Sequence, residues 1–597
     1  MKYSNLAHMF FDKRRQVARR PAFKFKKEGQ WHTISFGKAV DKAERLSAGL
    51  AAIGLQKGDR VAIISNNRYE WALSDYASLA LGCIVVPVYP TLPAHQVEYL
   101  LNDSEAKLVF AEDLYQIQKV FEINSRLKHL KQIVVYDTEN LPETHTWMSF
   151  EALLEKGNRF LGRHGEYVQK CMAAVQRNDR ATIIYTSGTT GEPKGAILTH
   201  GNFLSNVENV SRVFEIFPED RLLSFLPLSH VLERMAGHYL SMFHGCMVAY
   251  AESIEAIPEN ILEIQPTIMI SVPRLYEKIH AKIIDQVETG SALKRIIFYR
   301  ALNIGKKYVT LQMNHERIPV ILRVKHRLAY YLVYRKIQAG MGGKIRFLIS
   351  GGAPLPKEIG LFFGSMGILI LEGYGLTETS PAITLNRLDR FRFGSAGLGL
   401  PDQEIKIAED GEILSRGPHI MVGYYKKERE TAEAIDSDGW FHTGDIGLLS
   451  EDGFLTITDR KKNIIVTSGG KNIAPQPIEN ALTSSTYIDQ AVVIGDRRKY
   501  CTALIVPARE ALLNMAARKQ IEFDDWQGLI RDEAIIRFFE KEVQRLIASF
   551  ASYEQIKYFR IIDQPFTIEN GQLTPTLKIK RKVVEKVYAE EIESMYP

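Results

Sequence analysis

Short apolar runs alternate with amphipathic stretches along the first two thirds of the chain. Residues 60–65 and 83–88 are rich in β-branched side chains, and residues 70–81 between them repeat apolar positions at helical spacing. Further β-rich runs lie at 222–225, 247–250, 268–271 and 345–349. Strands that alternate with helices predict a largely parallel sheet, buried on both faces. This α/β region extends to about residue 390.

The pattern changes twice after that region. Residues 393–458 contain short strands broken by frequent glycines, which predicts a small β unit. Strands at 490–495 and 500–507 and a helix at 534–551 then predict a separate C-terminal α+β domain. We place the boundary at the charged stretch DRKKN, residues 459–463.

Composition excludes several classes of protein. The chain has 597 residues, 45% hydrophobic and 24% charged, which is typical of a folded protein with more than one core. Its four cysteines form no CxxC pair, so neither a zinc site nor a disulfide framework is indicated. No signal peptide or membrane-spanning run is found. We expect a cytoplasmic protein in a reducing compartment.

Positive charge is concentrated in one segment. Residues 291–336 carry eleven Lys and Arg and one acid, a net charge of +10, so the total of +6 leaves −4 elsewhere. Apolar residues recur there at helical spacing on both sides of Pro319, which predicts two basic amphipathic helices. Solvated helix faces over a core stripe are one interpretation. Attraction to an anionic membrane surface or a phosphate-rich ligand is the other.

The stretch YTSGTTGEPKGAILTH, residues 185–200, is the strongest chemical signal. Its glycines, hydroxyls and single lysine suit a loop whose backbone amides and side chains converge on phosphate. It is not a Walker A loop, because Lys194 lies between Pro193 and Gly195. Residues 181–185 and 196–198 read as strands, so this loop joins two strands.

Other candidates are weak when taken singly. The turn Gly351–Pro354 follows a predicted strand, where open α/β sheets admit ligands. GYGLTET offers Tyr374, Thr377 and Glu378, and GWFHTGDIG presents Asp445 in a predicted glycine turn, with Arg460 downstream. Near the end of the chain, NGQLTPTLKIKRK offers Lys578. The alternative interpretations are a buried side chain for Tyr374, a structural turn for Asp445 and a solvated lysine near the terminus for Lys578.

Together these motifs, in this order, resemble the AMP-forming acyl-CoA synthetases of the adenylate-forming superfamily. The resemblance rests on YTSGTTGEPKG, SGGAPLP, EGYGLTETS, GWFHTGDIG and DRKKNIIVTSGGKNIAP, and it covers roughly residues 10 to 590. LPLSHVLERMAGHYL, the basic insertion near 286–342 and LTPTLKIKR look most like the long-chain fatty acid branch.

The resemblance implies an α/β fold with a defined division into domains. A large N-terminal domain, residues 1–459, would contain two α/β sheet subdomains and a small β-barrel-like subdomain. A hinge at 460–463 would precede a mobile, smaller α+β domain at 464–597, which carries the catalytic lysine.

The resemblance also implies a role for each matching residue. Catalytic roles fall to Lys578, Thr186, Glu378 and His230. Contacts to ATP or coenzyme A fall to Thr186, Ser187, Gly188, Thr189, Thr190, Gly191, Lys194, Gly352, Ala353, Tyr374, Gly375, Thr377, Asp445, Arg460, Lys462, Ser468, Gly469 and Gly470. Mg²⁺ would be held by Thr186 and Glu378. His230 and the small residues around Gly373 would border the acyl pocket.

The implied reaction activates a long-chain fatty acid with ATP and transfers it to coenzyme A. Peripheral attachment to the inner face of a membrane through residues 291–336 and a homodimer remain hypotheses, and no nucleic-acid partner is expected. Lys580 is a rival to Lys578, and Arg234 stands where some fatty acyl relatives have a gating tryptophan. An acyl-AMP ligase that serves a carrier protein, a ligase for aromatic or shorter acids, and a non-enzymatic binding protein are the alternatives.

Overall fold

A computed structural model describes residues 2–141, 147–186, 192–567, 570–573 and 579–596, without the side chain of Asn472. The strands are, in chain order, β1 (Pro21–Lys27), β2 (Gln30–Ser35), β3 (Arg60–Ile64), β4 (Ile84–Val88), β5 (Ala106–Ala111), β6 (Gln132–Val135), β7 (Met148–Ser149), β8 (Arg180–Thr186), β9 (Lys194–Thr199), β10 (Arg221–Ser224), β11 (Met247–Tyr250), β12 (Ile268–Ser271), β13 (Phe347–Ser350), β14 (Ile370–Gly375), β15 (Ala382–Leu385), β16 (Gly397–Gly399), β17 (Glu404–Ile407), β18 (Glu412–Arg416), β19 (Gly423–Tyr424), β20 (Phe441–Leu449), β21 (Phe454–Arg460), β22 (Ile465–Val466), β23 (Asn472–Ile473), β24 (Ile488–Ile494), β25 (Cys501–Pro507) and β26 (Ile556–Ile561).

The α-helices connect these strands. They are α1 (Leu6–Phe11), α2 (Lys13–Val17), α3 (Phe36–Ala52), α4 (Tyr69–Ala80), α5 (Ala94–Ser104), α6 (Leu114–Ile123), α7 (Phe150–His164), α8 (Tyr167–Ala173), α9 (His200–Val213), α10 (Leu240–His244), α11 (Ile257–Ile264), α12 (Pro273–Glu288), α13 (Ala292–Met313), α14 (Val320–Ala329), α15 (Arg335–Gly340), α16 (Lys357–Ser365), α17 (Glu428–Ala434), α18 (Pro475–Thr483), α19 (Arg509–Lys519), α20 (Trp526–Arg531), α21 (Glu533–Ile547), α22 (Arg581–Val587) and α23 (Ala589–Glu593). Short 3₁₀ turns occur at Asn124–Arg126, Thr377–Thr379 and Lys461–Asn463, and π-helices at Glu233–Tyr239 and Tyr330–Tyr334.

Two large sheets build the N-terminal part. Sheet A has the order β17-β18-β20-β21-β16-β15-β14-β13-β12-β10-β11-β1-β2, and sheet B has the order β19-β9-β8-β4-β3-β5-β6-β7. Strands β10 to β14 of sheet A and β3 to β8 of sheet B run parallel where they pair, as the alternating pattern predicts. The small β unit is antiparallel and continues sheet A through the β14–β15 pair.

Both sheets are buried on two faces. Along β3, Val61 and Ile63 point into a core that sheets A and B share, while Ala62 and Ile64 point into a second core on the outer face of sheet B. This arrangement explains why the strands read as continuous apolar runs. The C-terminal domain has its own three-stranded sheet, β24-β25-β26, and separate cores.

The basic segment forms α13, α14 and the π-helix Tyr330–Tyr334 on the outer face of sheet A. The buried residues Ala301, Ala329 and Tyr334 join the core on that face, and Tyr334 donates a hydrogen bond to the Ala301 carbonyl at 2.5 Å. In the part of the chain that the structure describes, no helix has the length and apolarity to cross a membrane.

Helices α3 and α7 approach closely at two glycines. A Cβ on Gly157 would lie 1.8 Å from the Arg45 carbonyl oxygen, and one on Gly49 would lie 2.4 Å from the Leu153 carbonyl oxygen. These atoms belong to backbone, so the clash could be relieved only by moving one helix.

We therefore expect Gly157→Ala to lower the free energy of unfolding by about 1–3 kcal/mol through overpacking. Gly162→Ala on the same helix is the matched control, because nothing lies within 4 Å of its added Cβ. The control should be neutral or stabilising by up to about 1 kcal/mol. Thermal denaturation measures both variants, and equal midpoints would contradict the proposed close approach.

Candidate active site

The β8–β9 hairpin positions the two ends of the predicted phosphate loop. Thr186 ends β8 and pairs with Lys194, the first residue of β9. The Thr186 hydroxyl donates to the Lys194 carbonyl at 3.3 Å. The antiparallel pairing confirms that this loop joins two strands. Ser187, Gly188, Thr189, Thr190 and Gly191 lie outside the described residues.

Tyr424 lies between Lys194, at the end of the predicted phosphate loop, and Glu378. Strand β19 pairs with β9 and brings Tyr424 opposite Ala196. The Tyr424 hydroxyl donates to Glu378 Oε1 at 2.8 Å, and Lys194 Nζ lies 5.1 Å from the centre of the Tyr424 ring. Burial and then the Glu378 charge raise the pKa of Tyr424, so its hydroxyl stays protonated and donates. Sequence reasoning missed Tyr424.

A second cluster is centred on Asp445. The Tyr374 hydroxyl donates to Asp445 Oδ2 at 2.7 Å, and Arg460 Nε donates to Oδ1 at 2.9 Å. The prediction that Asp445 sits in a turn is wrong, because it lies within β20, directly opposite Arg460 on β21. Residues from Phe441 onward alternate in burial, as in a strand, and Gly444 adopts φ +70° without ending it.

The two clusters are neighbours. Burial works against the charge of Arg460, but the carboxylates of Asp445 and Glu378 raise its pKa overall. Arg460 is therefore close enough to interact electrostatically with both Asp445 and Glu378. We expect the first of these carboxylates to contact the ribose and the second to contact the metal. A backbone hydrogen bond also joins the Glu378 turn to the segment before β19, since Met421 N donates to the Glu378 carbonyl at 2.8 Å.

The predicted adenine side is formed by the ends of β13 and β14. Gly352 and Ala353 follow β13, and Gly352 adopts φ +81° in the turn. Tyr374 and Gly375 end the parallel neighbour β14, and Thr377 opens the 3₁₀ turn after it. Glu372 supports the turn that follows β13, because its Oε1 accepts a hydrogen bond from Leu355 N at 3.1 Å. Burial raises the pKa of Glu372 to about 8.

His230 lies on the chain segment between β10 and the π-helix Glu233–Tyr239. Its Nδ1 accepts a hydrogen bond from Leu232 N at 3.2 Å. A Cβ on Gly351 would lie 3.1 Å from Leu232 and 3.8 Å from the Gly373 carbonyl. The structure therefore brings the His230 segment close to Gly373.

A small apolar cavity of about 10 Å³, enough for about one water molecule, lies between sheet A and the π-helix Glu233–Tyr239. We call it the apolar cavity; its lining includes Leu222, Ala236, Leu240, Ile270, Phe347 and Ile349.

The C-terminal candidates follow β21 in the chain. Lys462 is exposed in the 3₁₀ turn Lys461–Asn463, and Ser468, Gly469 and Gly470 are exposed between β22 and β23. Lys461, in contrast, is paired with Asp410 at 2.6 Å and Glu412 at 3.0 Å. Gln476 N donates to Asp459 at 3.2 Å across the predicted boundary.

Lys578, the predicted catalytic lysine, lies outside the described residues. Leu573 and Ile579 form an antiparallel bridge on either side of it. The rival Lys580 caps α22, and its backbone N donates to the Gln572 carbonyl at 2.8 Å.

Thr186 and Glu378 fit the chemistry of a magnesium site. A hydroxyl and one carboxylate are hard oxygen donors, and Mg²⁺ is usually held by one or two carboxylates plus substrate phosphates. Within the described ranges, no group of three or more His, Cys, Asp or Glu side chains could hold a metal ion.

Solved structures support the same architecture. An anthranilate CoA ligase, AuaEII, in complex with anthranoyl-AMP superposes with a TM-score of 0.74 at 18% identity, over 99% of this chain and 98% of that one. The adenylation domain of a carboxylate reductase from Mycobacterium chelonae superposes with a TM-score of 0.73 at 22% identity, over 100% and 91%. At these identities the likeness shows the fold.

Sequence comparison shows the family. The description "AMP-binding enzyme" matches residues 10–425, and "AMP-binding enzyme C-terminal domain" matches residues 462–597. Long-chain-fatty-acid–CoA ligase FadD15 of Mycobacterium bovis is 36% identical over 100% of this chain and 97% of its own length. Long chain acyl-CoA synthetase 7, peroxisomal, of Arabidopsis thaliana is 33% identical over 95% and 82%. The chain therefore belongs to the AMP-binding enzyme family.

Proposed function

We propose that this protein is an AMP-forming long-chain fatty acid:CoA ligase. The observation that carries the proposal is the Asp445 carboxylate, fixed by Tyr374 and Arg460 beside Glu378. A buried carboxylate of this kind can accept both vicinal hydroxyls of a ribose, while the neighbouring carboxylate suits a cation on the phosphates. The names of the full-length relatives supply the substrate class.

In the first step a fatty carboxylate oxygen attacks the α-phosphorus of ATP. A P–O bond forms, the bond to the β-phosphate breaks, and pyrophosphate leaves. No protein nucleophile is needed, so the residues must position two anions and stabilise developing charge. Lys194 and the loop after Thr186 would bind the departing phosphates, Thr377 the α-phosphate, and Lys578 the carboxylate.

Mg²⁺, held by Thr186 and Glu378, would neutralise charge on the phosphate oxygens when bound. Tyr424 would orient Glu378 for that task. Tyr374 would face adenine near Gly352 and Ala353, and Glu372 would hold the turn that carries them.

In the second step the sulfur of coenzyme A attacks the acyl carbon, and AMP leaves with the C–O bond electrons. We propose that the 3₁₀ turn containing Lys462 is the hinge about which the C-terminal domain turns between the two steps. The exposed segment Ser468–Gly470 would then line the path of the thiol. The acyl chain would lie beside the His230 segment and the small residues around Gly373.

The proposal is tested by following AMP release and acyl-CoA formation with fatty acids from C6 to C20. We expect ATP–pyrophosphate exchange that depends on the fatty acid, and acyl-CoA when coenzyme A is present. Exchange without acyl-CoA would favour an acyl-AMP ligase that serves a carrier protein. Activity only with aromatic or short acids would favour the other ligase class, and absence of exchange would favour a binding protein.

Tyr424→Phe tests the placement of Glu378. A hydrogen bond to a charged group contributes about 1.5–3 kcal/mol, so we expect kcat/KM to fall roughly 10- to 100-fold and the Mg²⁺ concentration for half-maximal rate to rise. Tyr425→Phe is the matched control on the next residue, and it should retain activity. An unchanged Mg²⁺ dependence in Tyr424→Phe would contradict this role.

We also propose that the basic segment, residues 291–336, attaches the enzyme to an anionic membrane surface through α14 and the π-helix Tyr330–Tyr334. Val320, Ile321, Val324, Leu328, Tyr331 and Leu332 are between 58% and 71% exposed. Their spacing places them on one helical face. The alternative of a core stripe is wrong for Val324, Leu328 and Leu332, because that face points outward. We call these six residues the apolar stripe.

Charge complementarity selects a bilayer as the partner. The apolar stripe lies in the segment of net charge +10, and an apolar helix face flanked by Lys and Arg is typical of helices that lie in the membrane interface. Anionic lipid headgroups would meet the basic residues while the stripe enters the acyl boundary.

Val324→Ser/Leu328→Ser tests this surface by sedimentation with phosphatidylcholine and phosphatidylglycerol vesicles at low and high salt. We expect wild-type protein to sediment at low salt. The double variant should bind about 100-fold more weakly or worse, because each of the two substitutions forfeits about 1.5–3 kcal/mol of apolar burial. Ile254→Ser, a control at a residue 68% exposed outside the segment, should bind normally. No vesicle binding at either salt, or a changed oligomeric state with unchanged binding, would contradict the proposal.

A further inference from the structure

The C-terminal end of α5 is hydrogen-bonded to both ends of the predicted phosphate loop. The Tyr99 hydroxyl donates to the Pro193 carbonyl at 3.2 Å, and Asp103 Oδ2 accepts from the Tyr185 hydroxyl at 2.5 Å. Burial, and then the charges of Asp103 and Glu192, raise the pKa of Tyr99 to about 12, so its hydroxyl stays protonated and donates. Since residues four apart lie on one helical face, a single face of α5 holds the loop at its two ends.

These hydrogen bonds lie one residue away from proposed contacts to ATP. Tyr185 precedes Thr186, the last residue of β8, and Pro193 precedes Lys194, the first residue of β9. The Tyr185 ring is buried in the core on the outer face of sheet B, and the Tyr99 ring packs against that core. A shift of α5 would therefore move the residues next to Thr186 and Lys194.

The same helix end also holds the segment that carries Tyr424. Lys426 Nζ donates to the Asp103 carbonyl at 2.7 Å and lies 2.9 Å from Glu105 Oε1. Lys426 is two residues beyond Tyr424, whose hydroxyl donates to Glu378. Three segments that carry proposed contacts to ATP or Mg²⁺, or a residue that orients one, thus meet at the end of one helix.

The end of α5 is itself fixed to β3, an interior strand of sheet B. Arg60 Nε on β3 donates to the Ser104 carbonyl at 2.8 Å, and the guanidinium pairs with Glu105 at 2.6 Å. Glu105 adopts φ +56° and ends the helix, and β5 begins at the next residue, beside β3. This helix end can therefore serve as a fixed point for the loop.

We propose that Tyr99 and Asp103 are positioning residues that hold the two ends of the phosphate loop and thereby set the affinity for the phosphates of ATP. This role rests on the proposed function, since it takes Thr186 and Lys194 to contact those phosphates and their Mg²⁺. Neither Tyr99 nor Asp103 touches ATP in this view. Their effect passes through the neighbours of the contact residues.

Two variants test the two hydrogen bonds by calorimetric titration with ATP in the presence of Mg²⁺. Tyr99→Phe keeps the ring, and we expect its Kd for ATP to rise about 2- to 10-fold, which corresponds to one neutral hydrogen bond. Asp103→Ala removes a charged acceptor, so its Kd should rise about tenfold or more. Alanine favours a helix, and a carboxylate near the C-terminus of a helix is unfavourable. Weaker binding in Asp103→Ala would therefore not come from a weaker helix.

Two further variants are the controls. Asp103→Asn keeps an amide oxygen that can accept from the Tyr185 hydroxyl, so it should recover most of the affinity. Tyr136→Phe breaks a hydrogen bond of 2.9 Å to Ser74 Oγ, and Tyr136 packs on the core that sheets A and B share, on the face of sheet B opposite to α5. Tyr136→Phe should lower the unfolding temperature but leave Kd for ATP unchanged.

A comparison of KM values separates positioning from a general loss of structure. In Tyr99→Phe and Asp103→Ala we expect KM for ATP to rise as Kd does, while KM for the fatty acid stays within about twofold, because only the phosphate contacts are displaced. A merely structural role would lower the unfolding temperature and leave both KM values at those of the wild type.

Wild-type affinity for ATP in Asp103→Ala, or an equal loss of affinity in Tyr136→Phe, would overturn the proposal. If wild-type protein binds ATP but forms no acyl-CoA, the proposed function fails, and the comparison of Kd values still decides the positioning role. Absence of ATP binding by the wild-type protein would overturn both.

Discussion

The pairing of β20 with β21 is the constraint on which the site depends. It places Asp445 directly opposite Arg460 and leaves the Asp445 carboxylate facing Tyr374 on β14. Since side chains alternate along a strand, a slip of one residue would turn Asp445 to the other face and dismantle the cluster. β21 also runs directly into the 3₁₀ turn Lys461–Asn463. The strand that fixes the proposed ribose contact therefore also begins the proposed hinge.

Positively charged and negatively charged side chains lie next to each other around the β20–β21 pair. Arg460 lies within reach of Asp445 and Glu378, and Lys194 lies over the ring of the tyrosine that holds Glu378. Each carboxylate is thus oriented by a neutral hydroxyl while a cation stands nearby. Such preorganised groups stabilise charge without rearranging during the reaction.

The sequence predicted the parts of this site whose chemistry is local. Thr186 and Lys194 stand out because glycines and hydroxyls surround them within a few residues, and the parallel sheets follow from apolar runs buried on both faces. Tyr424 could not be found in this way, because its role arises only when β19 pairs with β9, more than 200 residues earlier in the chain. The position of Asp445 in a strand was missed because the glycines of GWFHTGDIG are also typical of a turn.

Periodicity has a further limit that the basic segment illustrates. Spacing identifies Val324, Leu328 and Leu332 as neighbours on one helical face, but it carries no information on whether that face meets the core or solvent. Only the packing of Ala329 and Tyr334 against sheet A decides that the other face points outward. The same limit applies to Asp103 and Tyr185, whose hydrogen bond joins residues 82 positions apart.

Sheets A and B carry different parts of the proposed active site. Sheet A provides Tyr374, Asp445 and the turn after β13, whereas sheet B provides Thr186 and Lys194 at the two ends of the predicted phosphate loop. Attack on the α-phosphorus requires the acyl carboxylate and the phosphate to come within about 3–3.5 Å in a fixed orientation. The proposed contacts to ATP come from both sheets, so the position of the α-phosphorus that the acyl carboxylate must reach is set by how the sheets pack. The core shared by sheets A and B is therefore part of the catalytic geometry as well as a source of stability.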